Sequence, residues 1–383
     1  MDRVKIGLEI LIEEDFGDLR GRSIGIVANQ SSVTPQFTHI IDEARRIGKC
    51  QVKRVFTPEH GFTITETKPI TTSYYDEEYK VEIKSLYGLN YKPRREDMED
   101  LEALVFDLQD VGARWYTYIS TLYYCLEACG ENELKIIVLD RPNPITGEIL
   151  EGPILEGEYR SFVGIAEIPV RYGLTIGEIA TYLNEKYHLK ADLRVVSMEG
   201  WSRSLWFDQT GLPWIPPSPN MPTPETAHVY IGTCLIEATN ISEGRGTTKP
   251  FQVIGAPWIK PKKLSEELNK TGLSGVKFRP LTFKPNSGKY RGKLCGGVEI
   301  YVMDRGLFRP FLTGLQIIST IKRLYPEKFQ WRKVKGKYWM DILTGTSKIR
   351  RSIDEDEDPW AIVDEVEEEL LKYAYEKEKY HIY

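Results

Sequence analysis

Runs of Val, Ile, Leu and Phe recur along the first two-thirds of the chain, separated by stretches of charged, helix-forming residues. "SIGIVAN" (23–29), "QVKRVFT" (51–57), "EALVFDLQDVG" (102–112), "KIIVLDRPNP" (135–144) and "DLRVVSM" (192–198) are nearly continuous apolar runs. That is the pattern of strands buried on both faces rather than on one. Between the first two lies "FTHIIDEARRIG", with the spacing of an amphipathic helix. The alternation predicts an α/β fold with a Rossmann-like parallel sheet.

From about residue 257 the pattern changes. The helix "LSEELNK", the strands "VKFRPLTFKP" and "GGVEIYVMD" and the long helix "FLTGLQIISTIKRLY" predict a second, smaller α+β domain at the C-terminal side. In the tail, Trp360, Val363, Val366, Leu370 and Tyr373 recur at near-helical spacing, a stripe suited to packing between domains. A chain of 383 residues is long enough for two domains. The proline-dense "PWIPPSPNMPTP" (213–224) must be extended and stiff, either a linker or a rigid cleft wall. The predicted division is a catalytic domain over 1–224 and an auxiliary domain over 225–383, the latter contributing the "SEGRGTT" loop to the cleft.

Composition narrows the function classes. With 41% hydrophobic and 28% charged residues the chain reads as a soluble globular protein. A net charge of −5 gives no basic field for nucleic acid. No stretch approaches the roughly 20 apolar residues that span a membrane, and the first 15 residues carry too many acids for a secretory signal. The expected location is the cytoplasm. Cys50, Cys125, Cys129, Cys234 and Cys295 form no CxxC pair and read as reduced core residues; no metal site is expected. Abundant charge with little Asn and Gln leans toward a thermophile.

Candidate chemistry gathers where the strands end. In "RVFTPEHGF" (54–62), Pro58 cannot continue a central strand, so Glu59 and His60 sit at its carboxyl end and Gly61 turns the chain. Asn29 and Gln30, Asp107 and Asp110, then Asp140, Arg141 and Asn143 occupy the same position on other strands. In a parallel sheet those ends share one edge, where open α/β sheets bind ligands. No GxGxxG or GxxxxGK[ST] loop is present, so no nucleotide cofactor is expected. Paired carboxylates across a cleft suit glycoside hydrolysis, one as proton donor and the other as base or nucleophile. The candidates are Glu59, Asp107, Asp110, Glu127, Asp140 and Glu243. Asn29, Asn143 and Asn220 offer amides to a sugar, and Trp115, Tyr116, Tyr118 and Trp258 offer flat faces. Arg114 and Arg245 suit an anionic substrate group, the glycines flanking Arg245 letting a ligand approach the backbone. Asp107 has a second reading, as a partner that only holds Arg114. A GxSxG elbow is absent, which disfavours serine-hydrolase chemistry.

"PEHGF", "SLYG", "VFDLQDVGARWYTYIS", "LDRPNPI", "EGPILE", "PPSPNMPT", "EATNISEGRGTTKPF" and "GAPW", in that order, resemble the exo-acting β-N-acetylmuramidase family, long catalogued as a domain of unknown function. The resemblance implies a Rossmann-like domain with a catalytic cleft, a C-terminal auxiliary domain and no cofactor. It also implies removal of terminal β-1,4-linked N-acetylmuramic acid from peptidoglycan fragments by two cleft glutamates. The first maps onto Glu59 and the second is placed at Glu127 in "YYCLEACGE". A helix starting near Tyr116 would carry Glu127 roughly 16 Å from its N-terminus, so either the helix starts later or Asp110 or another carboxylate fills that role. Two departures from the family pattern stand out: "PEHGF" continues with Thr-Ile rather than Arg-Gly, and "PVRYG" has Tyr172 where His is usual.

The predicted activity is thus an exo-glycosidase releasing N-acetylmuramic acid or a related amino sugar from the non-reducing end. Glu59 and Glu127 are the expected catalytic pair; Asn29, His60, Asp107, Asp110, Arg114, Tyr116, Asp140, Arg141, Asn143, Asn220, Glu243 and Arg245 are the expected substrate ligands. The expected partner is a small oligosaccharide, with no nucleic acid or membrane, and monomer and homodimer both remain open. The rivals are a silent amino-sugar-binding protein and a Mg²⁺-dependent hydrolase using Asp107, Asp110 and Asp140.

Overall fold

The apolar runs do form one sheet. The computed structural model describes residues 3–65 and 69–383. Its main sheet comprises β1 (Ser23–Val27), β2 (Gln51–Thr57), β3 (Tyr74–Asp76), β4 (Val81–Ser85), β5 (Ala103–Phe106), β6 (Lys135–Leu139) and β7 (Asp192–Val196). They lie in the order β3-β4-β2-β1-β5-β6-β7, and every pairing is parallel except that of the edge strand β3 with β4. Setting β3 aside, the order is that of a dinucleotide-binding sheet, with the topological switch point between β1 and β5.

Continuous hydrophobicity follows from burial on both faces. Along β5, Ala103 and Val105 point into one apolar layer with Leu8, Leu11, Ile40 and Ile41; Leu104 and Phe106 point into the other with Ile119, Leu122, Ile179 and Leu183. Helices α1 (Gly7–Glu13) and α2 (Ile40–Ile47) thus cover one face, and α3 (Tyr118–Glu131) and α4 (Ile176–Lys186) the other. The five expected strands are all present. β3 and β4 escaped the sequence pattern because they are short, lie at the sheet's margin and follow β2 without an intervening helix.

The C-terminal domain is built on an antiparallel sheet, β8 (Val253–Ala256), β9 (Val276–Phe283) and β10 (Cys295–Val302), in the order β8-β10-β9. Pro280 is tolerated because β9 is an edge. Helices α5 (Pro224–Thr233), α6 (Pro261–Asn269) and α7 (Pro310–Leu324) pack against it, and α5 crosses α7 so closely that a Cβ on Gly232 would meet the Pro310 carbonyl oxygen at 1.8 Å. All five cysteines are free. Among the described residues no helix is long and apolar enough to cross a membrane.

The two domains are joined by Arg114, which is fully buried. Its guanidinium donates to the carbonyls of Pro153 (2.7 Å) and Ile168 (2.6 Å) on one side, and of Leu343 (2.9 Å) and Thr344 (2.7 Å) on the other. Burial lowers its pKa to about 9. A single side chain therefore satisfies four buried carbonyls from three segments. The segment near residue 383 also returns to the first domain, where the Tyr383 hydroxyl donates to Asp140 Oδ2 (2.8 Å).

Candidate active site

Thr57 ends β2 and Pro58 follows, so the chain leaves the sheet as the sequence requires. Gly61 takes φ +70° and its N–H closes a turn onto the Pro58 carbonyl (2.9 Å). This turn sets Glu59 and His60 into a cavity of about 240 Å³. Its other walls come from Trp115–Tyr118 after β5, from Ser218 and Asn220 of the proline-rich segment, and from Tyr230, Glu237 and Arg245 of the C-terminal part. The proline-rich segment is therefore a cleft wall. It is pinned there by the Tyr118 hydroxyl, which bonds the Pro217 carbonyl.

Two carboxylates share this cavity in unlike surroundings. Burial raises the pKa of Glu59, and the charge of Glu237 adds to that; the Thr117 and Tyr87 hydroxyls and Arg245 oppose it. Thr117 Oγ1 donates to Glu59 Oε2 at 2.9 Å. Glu237 lies in the 3₁₀ turn Cys234–Ala238 that follows α5, and its Oε1 accepts from Arg245 Nη2 at 2.6 Å. Burial by itself would lower the pKa of Arg245, but the charges of Glu237 and Glu243 more than offset it. Glu243 stands behind, contacting Arg245 Nε at 3.5 Å and Lys289 Nζ at 3.1 Å. Asn220 is buried, and its Nδ2 has no hydrogen-bond partner among the described residues. A buried amide left without a partner in a residue that lines a cavity is a candidate donor for a ligand.

Of the residues singled out in the sequence, the cavity gathers Glu59, His60, Trp115, Tyr116, Tyr118, Asn220 and Arg245. Glu127 is not among them. It lies nine residues into α3, roughly 13.5 Å along the axis, and pairs with Lys92 at 3.1 Å. The carboxylate that faces the cavity with Glu59 is Glu237, inside the quoted "EATN" but hidden by its apolar neighbours. The glycines beside Arg245 serve backbone packing rather than ligand approach: a Cβ on Gly244 would strike the Val253 carbonyl oxygen at 2.4 Å and one on Gly246 the Ser287 nitrogen at 2.4 Å.

The remaining candidates hold the loops in place. Asn29 donates to the Tyr118 hydroxyl (3.0 Å) from behind the wall. Asp107 pairs with Arg141 through two hydrogen bonds (2.6 and 2.9 Å), not with Arg114. Asn143 donates to the Leu174 carbonyl at 2.9 Å. Asp140 accepts from the Gly177 N–H (2.8 Å) at the start of α4 and from Thr175 (2.7 Å). Arg114 binds carbonyls, as above. Trp258 packs on Tyr325, away from the cavity. Tyr172, the departure from the family's His, is buried with its hydroxyl on Asp110. Asp107, Asp110 and Asp140 thus point to separate partners, and among the described residues no group of three His, Cys, Asp or Glu is placed to hold a metal ion.

Asp110 offers a check on this placement. Burial pushes its carboxyl up to about 7, against the Tyr172 hydroxyl and the Gly112 N–H, which favour the charged form. A carboxyl whose pKa is higher folded than unfolded contributes fully below the unfolded value, and that contribution fades as pH rises through the folded one. Thermal stability is therefore expected to fall between about pH 4 and about pH 7. Asp140, also pushed up to about 7 by burial, acts in the same direction. Asp110→Asn should flatten the melting-temperature profile over this range, and an unchanged slope would place Asp110 in contact with water.

An α/β fold with two carboxylates of unequal environment in one aromatic-walled cavity has the equipment of a glycoside hydrolase. Family models described as exo-beta-N-acetylmuramidase NamZ match the chain twice, the N-terminal model over residues 24–225 and the C-terminal model over 228–383. The chain belongs to this family. It is 44% identical over 382 residues to the peptidoglycan beta-N-acetylmuramidase NamZ of Bacillus subtilis (strain 168), covering 100% of this chain and 92% of that protein. Crystal structures of two DUF1343 family proteins from Bacteroides fragilis share the architecture. One has a TM-score of 0.92 at 33% identity and the other 0.79 at 28%, each covering 100% of this chain and 99% of theirs.

Proposed function

We propose that the protein is an exo-acting β-N-acetylmuramidase of the cytoplasm that releases one amino sugar from the non-reducing end of a peptidoglycan fragment. The observation that carries this reading is the pairing of a buried Glu59, whose pKa burial raises, with an arginine-bound Glu237 in a cavity sized for about one sugar unit rather than a chain. Glu59 protonates the leaving oxygen. Glu237, held by Arg245, either activates water or attacks the anomeric carbon. Arg245 orients Glu237 and offers its remaining N–H groups to the lactyl carboxylate, and Asn220 Nδ2 donates to a sugar oxygen. In this reading the working unit comprises a catalytic domain over 1–224 and an auxiliary domain over 225–383 that delivers the 242–248 loop.

The test is aglycone release from aryl β-N-acetylmuramide and aryl β-N-acetylglucosaminide, run at elevated temperature because we also read the composition as that of a thermophile. Release from the muramide in strong preference is expected. Binding of both compounds without release would instead support a silent sugar-binding protein.

Glu59 also gives the pH dependence a sign. Thr117 stabilises the carboxylate form, so Thr117→Val should raise the Glu59 pKa and let the proton persist to higher pH. The alkaline limb of kcat/KM is expected to move up by roughly one pH unit. A downward shift would remove Glu59 from the role of acid.

A further inference from the structure

Glu237 and Arg245 line a second space besides the reaction cavity. This is a groove of about 670 Å³ on the C-terminal part, bounded by Lys289 and Tyr290 on one side and Gln330–Arg332 on the other. The two spaces meet across the Glu237–Arg245 pair. The chain leaving Glu237 runs straight into the groove's floor, and that floor is tightly held. Asn240 N–H donates to the Gln330 carbonyl (3.0 Å), Gln330 N–H to Asn240 Oδ1 (3.0 Å), and Arg332 N–H to the Ala238 carbonyl (2.7 Å). Across it the Tyr290 hydroxyl donates to the Asn240 carbonyl at 2.6 Å. The Trp331 indole is anchored by Nε1 on Asp354 (2.7 Å), and the Arg332 guanidinium lies 5.6 Å from the centre of the Trp339 ring.

Two partly exposed aromatic rings beside a rim of cations and amides are the chemistry that takes a sugar ring, whose C–H face is apolar and whose edge is hydroxylated. A one-sugar cavity must also let the rest of an oligosaccharide leave it next to the catalytic carboxylates, and the groove begins at one of them. We propose that this groove binds the sugar on the leaving-group side of the scissile bond, with Trp331 as its stacking face and Arg332 as a hydrogen-bonding rim residue. The inference rests on the glycosidase reading above and adds the subsite that recognises the aglycone.

An aglycone subsite acts only on substrates that fill it. Trp331→Ala and, separately, the exposed Arg332→Ala should lower kcat/KM for N-acetylmuramyl-β-1,4-N-acetylglucosamine by about tenfold, equivalent to about 1.4 kcal/mol. Turnover of an aryl β-N-acetylmuramide by Arg332→Ala should change by less than about twofold, because an aryl ring carries no hydroxyl for the rim residue, although it can still stack on Trp331. An Arg332→Ala melting temperature within a degree or two of wild type, about the range of an exposed substitution, shows that its loss is not one of folding. Trp331, half-buried against Phe329 and bonded to Asp354, costs stability when truncated and is read from the disaccharide rate at a temperature where the variant is folded. Parallel losses on both substrates in Arg332→Ala, or no loss on the disaccharide in either variant, would overturn the subsite while leaving the glycosidase reading in place. Wild-type protein that cleaves neither compound would overturn both.

Discussion

Glu59→Gln is expected to lower turnover by about 10²- to 10⁴-fold, the usual worth of a positioned proton donor. The size of the loss should depend on the leaving group. A sugar alkoxide needs the proton in the transition state, whereas an activated aryl oxide departs with little help. Glu59→Gln should therefore damage the disaccharide reaction far more than the aryl one. Glu237→Gln removes the group proposed to act on water or on the anomeric carbon, and both substrates would need that group, so its losses should be large and similar. Glu127→Gln, on an α3 surface with Lys92, should leave both rates within about twofold, as surface substitutions do. Selective loss in Glu237→Gln with uniform loss in Glu59→Gln would exchange the two roles. Loss in Glu127→Gln would restore the pairing that the sequence first suggested.

Arg114→Ala is expected to have the largest effect on stability. Its four carbonyl partners are buried, and removing the guanidinium leaves them without donors. A cost of about 3–5 kcal/mol is in line with breaking a buried charged cluster, which for a chain of this length lowers the melting temperature by roughly 5 °C. Arg114→Lys keeps the charge but replaces a five-donor fork by a point donor that cannot reach four carbonyls, so it should recover only part of the loss. Calorimetry with steady-state kinetics separates this from substrate binding. An unchanged melting temperature with a raised KM would return Arg114 to the cleft.

The sheet was legible because parallel strands bury both faces, and that requirement writes itself as continuous apolar runs. The turn at Pro58–Gly61 was legible for an equally local reason: proline and glycine restrict the backbone wherever they stand. The polar residues at the strand ends were harder. Asn29, Asp107, Asp140 and Asn143 occupy positions where ligands bind, yet loops at a sheet edge have backbone and charged groups of their own to satisfy, and these four meet that need. Nothing in one sequence separates a polar side chain turned toward a loop from one turned toward a substrate. Glu237 was hidden for the opposite reason. It sits within the apolar "CLIEA", in a 3₁₀ turn with no strand end, glycine or cap to mark it. Its importance comes from what lies opposite it in space, more than 170 residues earlier in the chain.

That separation also bears on how the enzyme comes to be active. Glu59 is supplied by one side of the proline-rich wall and Glu237 by the other, with Arg114 clasping the two parts together. On the proposed roles, neither half holds both carboxylates by itself. Turnover is thus a signal that docking has occurred, and partial separation of the halves would silence the enzyme before either had lost its secondary structure.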